Sequence, residues 1–224
     1  MSTIEDLENE ARPRRRLPPE ERERQIVEGA IRFFAEVGFD GQTRELARRL
    51  GITQPLLFRY FPTKDELIDR VYEEVYLRRW KPEWTDWLQD RSVPLERRLA
   101  RYYEDYSATI FDYEWIRIFM FSGLKGEDIN RRYLRIVREK VLAVVCGELR
   151  HELGLPAPDA APILPEEIDL AWSLHAAIFY VGVRKYAYRE PVPKELSGFI
   201  SRNVRIFLGG VAPVMRELVI PQGR

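Results

Sequence analysis

Apolar residues recur along the chain at three- and four-residue spacing, and no sustained apolar–polar alternation interrupts them. Ile26, Ala30, Phe33, Phe34 and Val37 draw one such stripe, and Gly38 follows as a C-terminal stop. Thr43 is placed to cap a second helix, with Leu46, Ala47 and Leu50 on its buried side and Gly51 at its end. Thr53 caps a third, whose first turn tolerates Pro55. The run Thr63-Lys64-Asp65-Glu66 has the form of a capping box, in which hydroxyl and carboxylate each satisfy an orphan amide. Longer helical patterns follow over 63–79, 94–112, 114–123, 127–153, 166–189 and 194–209. The proline-rich GLPAPDAAPILP between two of them is the clearest internal loop. The expected fold is all-α.

Composition narrows the function classes. Hydrophobic residues make up 45% of the 224 positions, enough for a core. Charged residues make up 32% and cancel to a formal net charge of zero, so affinity for nucleic acid must come from local placement. One cysteine, Cys146, excludes an internal disulfide and fits a reducing cytoplasm; among valines it reads as a buried, inert thiol. The start of the chain lacks the apolar stretch of a secretory signal, and the longest apolar run, about 170–183, falls short of the ~20 residues that span a bilayer. A soluble, cytoplasmic protein is expected, with no membrane partner.

The segment 43–60 is where local charge gathers. Two short helices meet at a tight turn, where Gly51 allows a left-handed conformation and Ala47 allows close approach. Leu46, Leu50, Ile52 and Leu57 face inward, which leaves Gln54, Pro55, Leu56, Phe58, Arg59 and Tyr60 without an evident core to join. A helix presenting an amide, a guanidinium and aromatics outward suits a DNA major groove. Within 41–64, Arg44, Arg48, Arg49, Arg59 and Lys64 stand against Glu45 alone, a local attraction for phosphate. An ordinary helical hairpin with solvated arginines is the competing reading.

The stretch AIRFFAEVGFDGQTRELARRLGITQPLLFRYFPTKDELID resembles the DNA-binding domain of the TetR (tetracycline repressor) family of bacterial transcriptional regulators. The resemblance covers residues 20–72 and rests on Gly38 after the first helix, Thr43 opening the second, Gly51 in the turn, and the aromatic end leading into FPTKDEL. It implies an N-terminal three-helix helix-turn-helix domain and a larger C-terminal helical domain for ligand binding and dimerisation. The corresponding division is an arm over 1–19, a DNA-binding domain over 20–62 and a second domain over 63–224. Carried over by position, Thr43 binds phosphate at the start of the second helix and Arg44 reads a base or phosphate. Gln54 and Pro55 open the recognition helix, and Lys64 clamps backbone phosphate. Phe58 stands where the family usually has tyrosine, and Tyr60 where histidine is frequent. The arm contains ARPRRR, which reads either as a solvated tail or as an extension into the minor groove.

The rest of the chain offers aromatics rather than catalytic groups. Glu148 and His151 have Glu-x-x-His spacing, but Trp172 occupies the position that a second metal-binding copy would need before His175, and the pair reads as a solvated helix end. No nucleophile–base pair or phosphate loop is visible, so neither enzyme activity nor a cofactor or metal is expected. Tyr102 and Tyr106 share a helix face, as do Trp115 and Phe119, and Trp172, His175 and Phe179. Packing explains any one of them; together they have the apolar bodies and few polar tips of a small-molecule pocket. The resemblance places an effector, lipophilic or aromatic, between these helices.

The helix near 166–189 is apolar almost all round, so both of its sides need cover. The resemblance implies that this helix and the one near 194–209 form a four-helix bundle with a second copy, the small Ala176, Ala177 and Gly182 allowing close approach; burial within one large monomer is the alternative. The expected protein is a homodimeric repressor of a palindromic double-stranded operator, released when a ligand shifts the helix that starts at Thr63. A ligand-independent DNA binder and, more remotely, a helical-bundle enzyme are the alternatives.

Overall fold

The computed structural model describes residues 17–125 and 128–220; the ARPRRR arm lies outside them. Every regular element among the described residues is helical. Three helices open the chain: α1 (Pro19–Val37), α2 (Thr43–Leu50) and α3 (Gln54–Tyr60). On α1, Ile26, Ala30, Phe33 and Phe34 are buried as their spacing predicts, while Val37 is largely exposed. Gly38 ends the helix at φ 76°, and a Cβ there would come within 3.0 Å of Phe121, so glycine serves both the turn and a close contact. Gly51 takes the left-handed conformation at φ 63°, and the Ile52 amide reaches back to the Ala47 carbonyl at 3.0 Å.

Two caps differ from expectation. Thr43 is the first residue inside α2, and Gln42 occupies the cap position without a side-chain bond. Thr53 caps α3 as expected, accepting from the Leu56 amide at 3.3 Å. Before α4 (Lys64–Tyr72), the Thr63 hydroxyl accepts from the Glu66 amide at 3.1 Å, but it also donates to the Glu66 carboxylate at 3.2 Å. The carboxylate thus meets the hydroxyl instead of the Thr63 amide, and only half of the box forms.

The larger part contains α5 (Glu83–Gln89), α6 (Leu95–Ile110), α7 (Tyr113–Lys125), α8 (Asp128–Val137), α9 (Ala143–Glu152), α10 (Pro165–Val183) and α11 (Leu196–Val219). Turns of π-helix extend α4 over Glu73–Leu77, join α8 to α9 over Arg138–Leu142, and extend α10 over Arg184–Tyr188. The sequence pattern missed α5, whose seven residues carry only one buried pair, Trp84 and Leu88. It also ended α11 ten residues early, at Gly209-Gly210. The helix runs on through Pro213 because Val211 and Met215, four apart, are both buried. Packing outweighs local propensity there.

Two buried ion networks tie the helices together. Glu148, read as solvated, is buried and accepts from Arg98 at 2.6 Å and from Arg91 at 2.9 Å. Burial opposes the charge on Glu148, but these two guanidinium bonds outweigh it and hold its pKa below the ordinary value. Its neighbour His151 is exposed. Arg150 and Glu167 are both almost wholly enclosed, paired with a 2.7 Å bond from Nε to Oε2. Arg150 also donates to the carbonyls of Pro156 at 3.1 Å, Pro162 at 3.0 Å and Ala161, so the proline-rich loop wraps around one guanidinium. Glu167 completes the set by accepting from the Leu164 amide at 2.7 Å, which caps α10. Nearby Cys146 is buried, and burial pushes its thiol up to about 12.

Because both ions of the Arg150–Glu167 pair are fully desolvated, removing one strands the other. Glu167→Gln is expected to lower unfolding stability in urea by about 3–5 kcal/mol, and Arg150→Met combined with Glu167→Leu to recover part of that loss. A single-variant loss under about 1 kcal/mol would contradict this account.

Candidate functional site

The helix-turn-helix places its chemistry at the adjoining starts of α2 and α3. Gln54 Nε2 donates to the Thr43 hydroxyl at 3.1 Å, linking the two helix starts. Arg44, Pro55 and Arg59 are exposed, and Leu56 and Phe58 are half-buried. Arg44 and Arg59 make no ion pair among the described residues. The Arg59 guanidinium lies 5.8 Å from the Tyr60 ring centroid. Tyr60 is less free than its spacing implies, because it packs partly on the core and lines a groove with Phe61, Glu66 and Arg70. Lys64 Nζ donates to the Phe39 carbonyl, which ties the start of α4 to the loop after α1.

The local positive charge is also smaller than a residue count implies. Arg48 pairs with Glu45 at 2.7 Å, and Arg49 with Glu45 at 3.0 Å and with Glu36 at 2.5 Å. Hydrogen bonds from Arg48 and Arg49 pull the Glu45 carboxyl down to about 2. Glu36 lies outside residues 41–64, so only the fold reveals its pairing with Arg49. Among the described residues Arg44, Arg59 and Lys64 have no acidic partner.

Residues 26–71 match the family model described as bacterial regulatory proteins, tetR family. The helix-turn-helix segment is therefore a domain of the tetR family's kind. The class D tetracycline repressor protein of Escherichia coli is 31% identical over 85 residues, 34% of this chain and 39% of that repressor. The HTH-type transcriptional regulator LuxR of Vibrio harveyi is 37% identical over 65 residues, 29% of this chain and 32% of that regulator. These matches span less than half the length of either relative. The whole fold is similar to that of a TetR-like transcriptional regulator from Rhodococcus sp. RHA1. There the TM-score is 0.62 at 20% identity, over 87% of this chain and 100% of that one. A transcriptional regulator from Pseudomonas aeruginosa PAO1 gives a TM-score of 0.65 at 21% identity, covering 90% and 97% of the two chains.

The larger helical part holds a cavity of about 320 Å³ that is open on one side. Tyr106 from α6, Trp115 and Phe119 from α7, Tyr133 and Leu134 from α8, and Trp172, His175, Ala176 and Phe179 from α10 line it. Tyr106, Trp115, Tyr133 and His175 are buried, whereas Leu134, Trp172, Ala176 and Phe179 are partly exposed and form the outer side. Tyr102 shares a face with Tyr106 but does not reach the cavity; its ring stacks on that of Tyr106 at 5.5 Å. Tyr133 was not singled out from sequence, since neither neighbour at helical spacing is aromatic. Its hydroxyl donates to that of Tyr106 at 3.4 Å, and Tyr106 meets His175 Nε2 at 3.3 Å.

The cavity helices also hold the DNA-binding domain. Between Trp115 and Phe119, Arg117 reaches the other way and donates to the Ala35 and Glu36 carbonyls at the end of α1. Its guanidinium lies 5.0 Å from the Phe121 ring centroid. Lys125 pairs with Asp40, just beyond α1. On α8, Arg132 precedes Tyr133 and pairs with Asp69 of α4 at 2.6 Å while stacking on Tyr72 at 4.0 Å.

His175 titrates against its surroundings. Burial lowers its pKa from 6.5 to about 4. Between these values the unfolded chain binds the proton and the folded chain does not, so stability is full above about 6.5 and falls as pH drops toward 4. Thermal melts should register a loss of up to about 3 kcal/mol across that window, a component absent in His175→Gln. Equal pH slopes in the two proteins would show that His175 charges freely in the fold.

Proposed function

We propose that the chain is a homodimeric transcriptional repressor that binds a palindromic operator and is released by a lipophilic or aromatic small molecule. The observation that carries the reading is the helix-turn-helix of residues 43–60, which matches the family and turns Gln54, Pro55 and Arg59 away from the core. In this reading Gln54 and Pro55 meet base edges; Thr43, Arg44, Arg59 and Lys64 meet the phosphate backbone; and Leu56, Phe58 and Tyr60 supply apolar contact and one hydroxyl. Such a repressor works in the cytoplasm, and no helix of the described residues is long and apolar enough to cross a membrane.

Dimerisation is supported by apolar surface on α10 and α11. Tyr180 is 51% exposed and Ile206 75% exposed, and the small Ala176, Gly209 and Gly210 lie open between larger residues. Gly182 does not belong to that face: a Cβ on it would meet Ile116 at 2.9 Å and Phe111 at 3.0 Å, within the same subunit. Ile200 and Val204 are likewise buried against their own chain.

Release follows from sharing α7 and α8 between cavity and DNA-binding domain. A ligand that wedges Trp115 and Phe119 displaces α7, and Arg117 transmits the shift to the end of α1. Through Arg132 a shift of α8 reaches α4. The route therefore uses α1 as well as the helix after Thr63. A difference of ~1–3 kcal/mol in ligand affinity between two arrangements suffices to change operator occupancy severalfold or more.

Selection from a random DNA library tests the reading and should recover a palindrome with half-sites about one helical turn, ~34–36 Å, apart. On that operator Gln54→Ala should cost ~1–3 kcal/mol and relax preference at one base pair per half-site. Lys64→Ala should instead weaken all sequences alike and lower the salt dependence by about one unit of slope. Recovery of no sequence preference, or an unchanged preference in Gln54→Ala, would remove α3 as the recognition helix.

Arg117→Ala separates ligand binding from release. Calorimetry should find ligand affinity within about twofold of the parent, while ligand-driven loss of operator binding in a gel-shift titration shrinks at least about fivefold, corresponding to roughly 1 kcal/mol of coupling. Full release by the variant would exclude Arg117 from the route.

A further inference from the structure

A contact inside the helix-turn-helix joins a side chain proposed for phosphate to one proposed for a base. Gln54, the first residue of α3, donates from Nε2 to the hydroxyl of Thr43, the first residue of α2, at 3.1 Å. The two lie 11 residues apart and meet across the left-handed turn at Gly51. Both are half-buried, so the bond is partly shielded from water. Neighbouring groups leave the amide little choice. The Thr53 hydroxyl is engaged by the Leu56 amide, and Pro55 has no N–H to offer.

That bond fixes what the amide has left to offer. A glutamine amide carries two N–H hydrogens and one acceptor oxygen. With one hydrogen committed to Thr43, a single donor and Oε1 remain, and Oε1 accepts no bond among the described residues. In the major groove adenine presents an acceptor, N7, beside a donor, the N6 amino group, and a donor–acceptor fork matches them. Guanine presents two acceptors, N7 and O6, which a free amide meets by turning both of its hydrogens to them. An amide held by Thr43 has only one hydrogen to give, and its oxygen would face a second acceptor. Thr43 keeps capacity of its own: its oxygen accepts from Gln54, and its hydroxyl hydrogen stays available for phosphate.

We infer that Thr43 is a positioning residue for Gln54: by holding one amide hydrogen it sets the rest of the amide to read adenine, and to reject guanine, at one base pair of each half-site. The inference rests on the reading of α3 as the recognition helix. In this arrangement Thr43 takes the hydrogen trans to Oε1. The cis hydrogen stays beside Oε1 and donates to N7, while Oε1 accepts from N6. Glutamine also loses rotamer freedom on ordering, and a side chain already tethered loses less of it on the DNA. Phosphate contact and base contact are thereby joined through a single oxygen, Thr43 Oγ1.

Competition gel shifts of the full-length protein on the palindrome recovered by library selection test this. Each base is placed in turn at the pair whose preference Gln54→Ala loses. The parent should prefer adenine over guanine there by at least about tenfold, the discrimination of one bidentate pair. Thr43→Val, close to threonine in shape, should bring that ratio to within about threefold. Thr43→Ser keeps the hydroxyl and should stay within about twofold of the parent ratio. Adding Thr43→Val to Gln54→Ala should change the ratio no further. In the parent protein, 7-deazaadenine at that position, which lacks N7, should weaken binding at least about fivefold, a measurement that needs no variant to fold. A uniform loss of affinity in Thr43→Val with the ratio intact would make Thr43 a phosphate contact alone and overturn the inference. So would selection of a base other than adenine, or full affinity for the 7-deaza operator. A base preference left unchanged by Gln54→Ala would instead overturn the recognition-helix reading on which the inference stands.

Discussion

The contact between α1 and α7 is the constraint on which the remaining arrangement depends. Gly38 leaves room for the Phe121 ring, and Arg117 covers the last carbonyls of α1, where the helix dipole favours a cation. A helix end buried without such partners would leave orphan acceptors. With α1 held, α2 and α3 have a fixed platform, since Phe33 and Phe34 supply the core on which Leu46 and Leu57 close. The same α7 turns Trp115 and Phe119 into the cavity. One helix thus carries two faces with two duties, and neither can move without the other.

Charge is distributed to suit that plan. Arg150–Glu167 and Arg98–Glu148 are enclosed and almost fully hydrogen-bonded, fixing α9 against α10 and α6. Buried pairs of this kind are weak net contributors to stability, yet they punish misalignment because each charge needs the other. At the helix-turn-helix the pairs are exposed instead, and Arg48 and Arg49 can leave Glu45 and Glu36 for phosphate at little cost. None of the residues lining the cavity carries a formal charge, and Tyr133, Tyr106 and His175 Nε2 form one short chain of hydrogen bonds.

Much of the DNA-binding domain was legible because its signals are local. Thr53, Gly38 and Gly51 act within a few residues of themselves, so their roles as cap and turns could be read from neighbours. Trp115 with Phe119, and Trp172, His175 and Phe179, were likewise grouped by spacing, since residues three or four apart share a helix face. The short α5 escaped because seven residues give too little periodicity to recognise. The end of α11 escaped because Gly209, Gly210 and Pro213 argue locally for a stop that distant packing overrules.

What the sequence determined by itself was therefore the order of helices, most of their limits, the family of the DNA-binding domain and the faces on which aromatics gather. Only the tertiary structure decided which faces meet. It set Tyr133 in the cavity wall and left Tyr102 behind Tyr106, although both tyrosines lie on helices of the same bundle. It turned Gly182 toward Phe111 and Ile116 rather than toward a second copy, and it enclosed Glu148 between two arginines some fifty residues distant. Periodicity records the direction of a side chain relative to its own helix. Where that direction leads depends on the rotation and crossing of helices far apart in the chain, which no local pattern encodes.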